Sequence, residues 1–145
     1  ELFIKQINWA NQLNKPISIH MRDASKKSYD ILKMHPVKRG GVMHCYSGSV
    51  EMAREFIKLG YYISLAGPVT FKNAHIPKDV AREIPLEWLL IETDSPYLAP
   101  HPLRGKRNES SYVVETAKVI AELRGIPLEE LESSLEANYK RLIQG

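Results

Sequence analysis

The chain has 145 residues, 43% hydrophobic and 26% charged, with a net charge of +3 at pH 7, which fits about one ordinary globular domain. No apolar run approaches the ~20 residues that a membrane-crossing helix needs, and the lone Cys45 excludes an internal disulfide and suits a reducing cytoplasm. The small positive charge is compatible with a phosphate-bearing partner without demanding one.

The opening ELFIKQINWANQLNK reads as a helix already under way, with Leu2, Phe3, Ile7, Ala10 and Leu13 near a 3.6-residue period. There is no initiator Met and no capping signal, so the chain is expected to be part of a longer one, or trimmed. Pro16-Ile-Ser-Ile-His20 is a β-branched run and reads as the first strand. A helix is expected from Ser25 to Met34, closed by His35-Pro36, because proline disfavours helix in the residue before it. Gly40 to Cys45 reads as the second strand. Ser49 is placed to cap a helix from Val50 to Leu59, which Gly60 ends. Tyr61 to Ala66 reads as the third strand, a weak helix follows around Lys78 to Glu83, and Trp88 to Glu92 reads as the fourth strand. A polar loop runs from Ser95 to about Glu109, and two helices close the chain, Ser111 to Arg124 and Leu128 to Leu142.

Strands separated by helices imply right-handed βαβ units and a parallel sheet. Residues 1–145 are therefore expected to form a single α/β domain. In such folds the carboxyl ends of the strands share one face, and that face carries the chemistry. Strand one ends at His20, strand two at His44, and strand four at Glu92 and Asp94, so these groups should converge. One strand-end histidine is ordinarily a hydrogen-bonded core residue; the coincidence of several points to a cation. Imidazole and carboxylate together suit borderline divalent ions. Such an ion lowers the pKa of bound water and supplies hydroxide. His35, His75 and His101 read as surface residues. Cys45 reads as packing rather than a nucleophile, set on the opposite side of a regular pleat from His44.

Five stretches, PISIHMRDA (16–24), GGVMHCYSGS (40–49), YYISLAGPVTF (61–71), ETDSPYLAP (92–100) and RGKRNE (104–109), together resemble the TatD family of metal-dependent hydrolases and deoxyribonucleases. The resemblance implies a TIM-type (β/α)8 barrel of the amidohydrolase-like superfamily with two divalent metal ions (Mg, Mn or Zn), of which this chain matches the C-terminal half, strands five to eight. It implies His20 and His44 as ligands of one metal and Asp94 as ligand of the other, with Asp94 positioning or deprotonating the attacking water. Glu92 is not counted as a ligand; the expectation is that it stands behind the ligands or helps to set the local charge. DNA is the implied substrate. Arg22, Arg104 and Arg107 are candidate phosphate contacts, although a salt bridge to Asp23 would equally occupy Arg22. Asn108 and Glu109 are expected to cap or anchor their loop.

The family's His-x-His strand and its metal-bridging Glu have no counterpart here, and Ser110 stands where the family usually has Pro. An isolated half would be nearly inactive and would expose sheet edges open to self-association. Hydrolysis of a small amide or ester is the enzymatic alternative; a non-catalytic assembly unit is the other.

Overall fold

The computed structural model describes all 145 residues. Helix α1 (Leu2–Gln12) leads into strand β1 (Ile17–His20). There follow α2 (Ser25–Met34), β2 (Gly41–His44), α3 (Val50–Lys58), β3 (Tyr61–Leu65), α4 (His75–Glu83), β4 (Leu89–Ile91), α5 (Val113–Arg124) and α6 (Leu128–Gln144). The strands lie side by side in chain order, all parallel, so β1 and β4 are both open edges.

Strand alternation divides the sheet into two faces. Ile19, Met43, Tyr61, Ile63, Leu65 and Leu89 point to the helices and are buried with Ile7, Leu32, Phe56, Val80, Ile120 and Leu131 in one core. Each such aliphatic or Phe side chain contributes about 1.5–3 kcal/mol by leaving water. The register sets His20 beside His44 and Ile63 beside Leu89, so the other face carries Ser18, His20, Val42, His44, Tyr62, Ser64 and Leu90. That face is open on the β1 side, where Ser18 and His20 are exposed. On the β4 side α6 leans over it, and Arg141 donates to the Tyr62 hydroxyl at 3.4 Å.

The expected elements are present, with shifted boundaries. The α4 helix starts at His75 rather than Lys78, because Pro77 falls in its first turn, where no backbone N–H is required. His75 is exposed at that helix start, and His101 is exposed in its loop, while His35 is half-buried. Strand β4 is three residues long: Trp88 belongs to a 3-10 turn and packs on Tyr62 with ring centroids 4.7 Å apart. Strand β2 stops at His44, because Cys45 turns into the left-handed region with φ +47°, so the pleat does not set the direction of its side chain. The Ser49 hydroxyl caps α3, accepting from Met52 N at 3.2 Å.

Candidate metal centre

His44 closes β2, and Glu92 is the first residue past β4, its N–H still donating to Leu65 O at 3.1 Å. Two residues on, Asp94 adopts φ +57°, a conformation that costs a non-glycine residue energy and persists only where its surroundings hold it. Asn108 does the holding. It is 3% exposed, and its amide donates to Thr93 O at 2.8 Å and Tyr97 O at 2.6 Å, the carbonyls either side of Asp94's turn. Its own N–H donates to Pro96 O at 3.0 Å, and its side-chain oxygen accepts from Glu109 N at 2.9 Å. The loop is also seated against Gly67, where a Cβ would lie 2.1 Å from Leu98 O. Thr70 adds a further tie, its Oγ1 accepting from His101 N at 2.8 Å.

Three side chains meet at this end. His44 Nδ1 lies 2.6 Å from Glu92 Oε2, and His44 Nε2 lies 3.3 Å from Asp94 Oδ1. Glu92 Oε1 accepts from Cys45 N at 2.6 Å. Donor atoms of His44, Glu92 and Asp94 all fall within 4.8 Å of one another. A carboxylate on Nδ1 makes that nitrogen the donor of a neutral imidazole. Nε2 and Asp94 Oδ1 then face each other as two acceptors, an arrangement that a proton or a cation between them relieves. Two ligand atoms each about 2.1 Å from one divalent ion stand about 3.0–3.4 Å apart at octahedral to tetrahedral angles, and 3.3 Å fits. The donor set is thus suited to a divalent ion.

His20 stands on the neighbouring strand, its ring centroid 5.7 Å from that of His44, exposed and outside the tight group. Glu92, by contrast, belongs to it and touches His44. The signal available was its position two residues before Asp94 on the same strand end. Cys45 borders the group, and its thiol is pushed up to about 11, first by burial and then by the Glu92 and Asp94 carboxylates. A thiol so protonated is no nucleophile near neutral pH. Tyr46 is buried, 6% exposed, with its hydroxyl donating to Ser49 O at 2.6 Å.

The three arginines diverge. Arg22 follows β1 on the same end of the sheet, is exposed, and makes no ion pair with Asp23 or any other residue. The Arg104 guanidinium stacks 3.9 Å from the centre of the Phe71 ring. Arg107 is exposed.

The sequence matches the family described as TatD related DNase over residues 1–144. It is 52% identical over 145 residues to the uncharacterized metal-dependent hydrolase YabD of Bacillus subtilis, covering 99% of this chain and 57% of that protein. It is 46% identical over 143 residues to the uncharacterized metal-dependent hydrolase YcfH of Escherichia coli K12, covering 98% of this chain and 54% of the other. Among solved structures, the TatD homologue YJJV from E. coli superposes with a TM-score of 0.92 at 33% identity, over 97% of this chain and 54% of that one. The chain therefore spans about half the length of the curated relatives it matches.

Proposed function

Because the chain belongs to the TatD related DNase family of metal-dependent hydrolases, we propose that it supplies strands five to eight of a (β/α)8 barrel that hydrolyses DNA phosphodiester bonds. The observation that carries the reading is the pair of facing acceptors, His44 Nε2 and Asp94 Oδ1 at 3.3 Å, with His44 Nδ1 already committed to Glu92. His20, His44 and Asp94 would hold the divalent ions, with His44 and Asp94 close enough to share one of them, whereas the resemblance assigns Asp94 to the other ion. Two divalent ions, bound there and to donors on the completing strands, would supply hydroxide near neutral pH and neutralise charge building on the phosphate.

The rest is the work of this chain's own groups. Asp94 orients the attacking water and accepts its proton, held for that task by the Asn108 clamp. Arg22, unpaired at the mouth, offers a two-pronged guanidinium to a phosphate. Arg104 is stacked on Phe71 yet keeps its N–H edge free for a second phosphate, and Arg107 adds charge beside it. The open edges at β1 and β4 are the surfaces the missing strands would pair with. No helix is long and apolar enough to cross a membrane, and the single cysteine suits a reducing cytoplasm.

The test assays the 145-residue chain alone, and fused behind the first four strand–helix units of a family member. Metal-dependent cleavage of DNA by the fusion, near-absence of cleavage by the chain alone, and loss of DNA turnover in Arg104→Ala/Arg107→Ala are expected. Turnover of a neutral amide or ester that survives the double substitution, with no cleavage of DNA, would instead favour a small-molecule hydrolase. A stable self-associated chain whose fusion cleaves nothing would favour a non-catalytic assembly unit.

A further inference from the structure

We infer that Glu92 is a positioning residue: its carboxylate fixes His44 as the Nδ1–H tautomer and thereby aims an unprotonated Nε2 at the cation site. The inference rests on the reading of His44 as a metal ligand, but it concerns a different residue and a different observable from cleavage.

Three features combine. The carboxylate is divided between two duties: Oε2 takes the imidazole Nδ1 at 2.6 Å while Oε1 takes the Cys45 N–H at 2.6 Å. Cys45 sits at φ +47°, and its amide would otherwise point into the space above the strand end without a partner. One acid thus pins the imidazole ring and the left-handed turn that follows it, and the ring has little freedom to flip.

The second feature is reach. Glu92 comes from β4 and His44 from β2, with β3 running between them. The register carries His44 to Ser64 and Ser64 to Leu90 on the shared face. The residue under the contact is therefore a serine, and His44, Ser64, Leu90 and Glu92 line one hollow. A branched side chain at 64 would fill the space through which the carboxylate passes.

The third is burial. The Glu92 side chain is 16% exposed against 31% for His44, so the acid is the more buried partner, and the ring's other nitrogen faces Asp94, which is 33% exposed. Hydrogen bonds from a metal-binding imidazole to an outer carboxylate set its tautomer and basicity, and their loss costs roughly tenfold to hundredfold in metal affinity.

The experiment is long-range 1H–15N correlation of the His44 ring in the metal-free chain at about pH 8.5, roughly two units above the ordinary imidazole value. Expected are a dominant Nδ1–H tautomer in the wild type, reversion toward the free-imidazole preference for Nε2–H in Glu92→Ala, and a shift in the same direction in Ser64→Leu. Manganese affinity, titrated on the same proteins, should fall tenfold to hundredfold in Glu92→Ala. Dominant Nε2–H in the wild type overturns the inference, whatever the variants do. So does an unchanged tautomer in Glu92→Ala. Should that variant fail to fold, Glu92→Gln serves: its amide mixes donor and acceptor, so a tautomer ratio identical to wild type would count against the assignment. Absence of DNA cleavage alone leaves the tautomer result standing.

Discussion

The two ends of the sheet use their polar side chains in opposite ways. At the amino end, polar side chains serve the backbone. Arg39 donates to Asn14 O at 3.0 Å and Ile143 O at 2.8 Å. Asn138, 1% exposed, donates to Leu86 O at 2.8 Å and Leu89 O at 2.7 Å. Arg124 gathers Ala81 O at 2.7 Å and Ile84 O at 2.9 Å. At the carboxyl end, His44, Glu92 and Asp94 face one another instead. The left-handed residues divide in the same way. Around the amino end they are Asn14, Gly40, Gly60 and Gly125, for which that conformation is cheap; beyond the carboxyl end, beside Asp23, Asp94 and Gly105, they include Cys45 and Leu98, for which it is not. One end satisfies its polar groups and the other leaves acceptors opposed. That is the difference between holding a fold and holding an ion.

The sharpest way to break this division is Asp94→Asn. In the completed barrel, turnover should fall by about three orders of magnitude, as losing a general base or ligand does. The metal-free chain should melt no lower than wild type, since one of two adjacent carboxylates is gone; a large drop in melting temperature would make Asp94 structural. Next is Asn138→Ala, which strands two buried carbonyls and should cost about 2–4 kcal/mol by urea unfolding. Manganese affinity of the surviving folded protein should be unchanged, and a parallel loss of affinity would blur the two ends.

Alkylation of Cys45 comes third. With its thiol near 11 against a reference of 9.0, the thiolate fraction at pH 8 is about 100-fold below that of a free cysteine, and iodoacetamide should react correspondingly slowly. The same shift fixes a pH dependence. The folded chain holds this proton more tightly, so the stability it contributes is complete below about 9 and is lost as pH rises toward about 11. Cys45→Ser should flatten that alkaline decline. The smallest effect sharpens the comparison rather than breaking it: Asn108→Ala should cost about 1–2 kcal/mol and weaken manganese binding too. Asn108 works like an amino-end residue, satisfying backbone, but at the carboxyl end.

The alternation of strands and helices was legible because each strand is a short apolar run stopped by Gly, Pro or a polar residue. The meeting of His44 and Asp94 was legible because parallel topology fixes which end of each strand shares a face; His20 shares that end but stands outside the group. The contact of Glu92 with His44 was not, because it depends on a side chain crossing a strand at Ser64, and no local pattern encodes a contact between residues 48 positions apart that share no strand pair. Asn108 could be read as a loop anchor from its place after RGKR, but its partners, Thr93 and Tyr97, follow only from how the loop doubles back. The early start of α4 escaped because no side chain caps it, so nothing in the sequence marks His75 as its first residue.

Asn138 sets a condition on synthesis as well as on stability. The carbonyls it fastens belong to residues made some fifty positions earlier, at separations of 52 and 49. As the chain leaves the ribosome, the first three strands have their covering helices in hand, but β4 waits for α6. A premature stop inside α6, between codons 128 and 138, would therefore leave intact His44, Glu92, Asp94 and Asn108 and still release the strand that presents Glu92 and Asp94. Nonsense variants in the last helix should behave as loss-of-site variants, although His44, Glu92 and Asp94 are all still encoded.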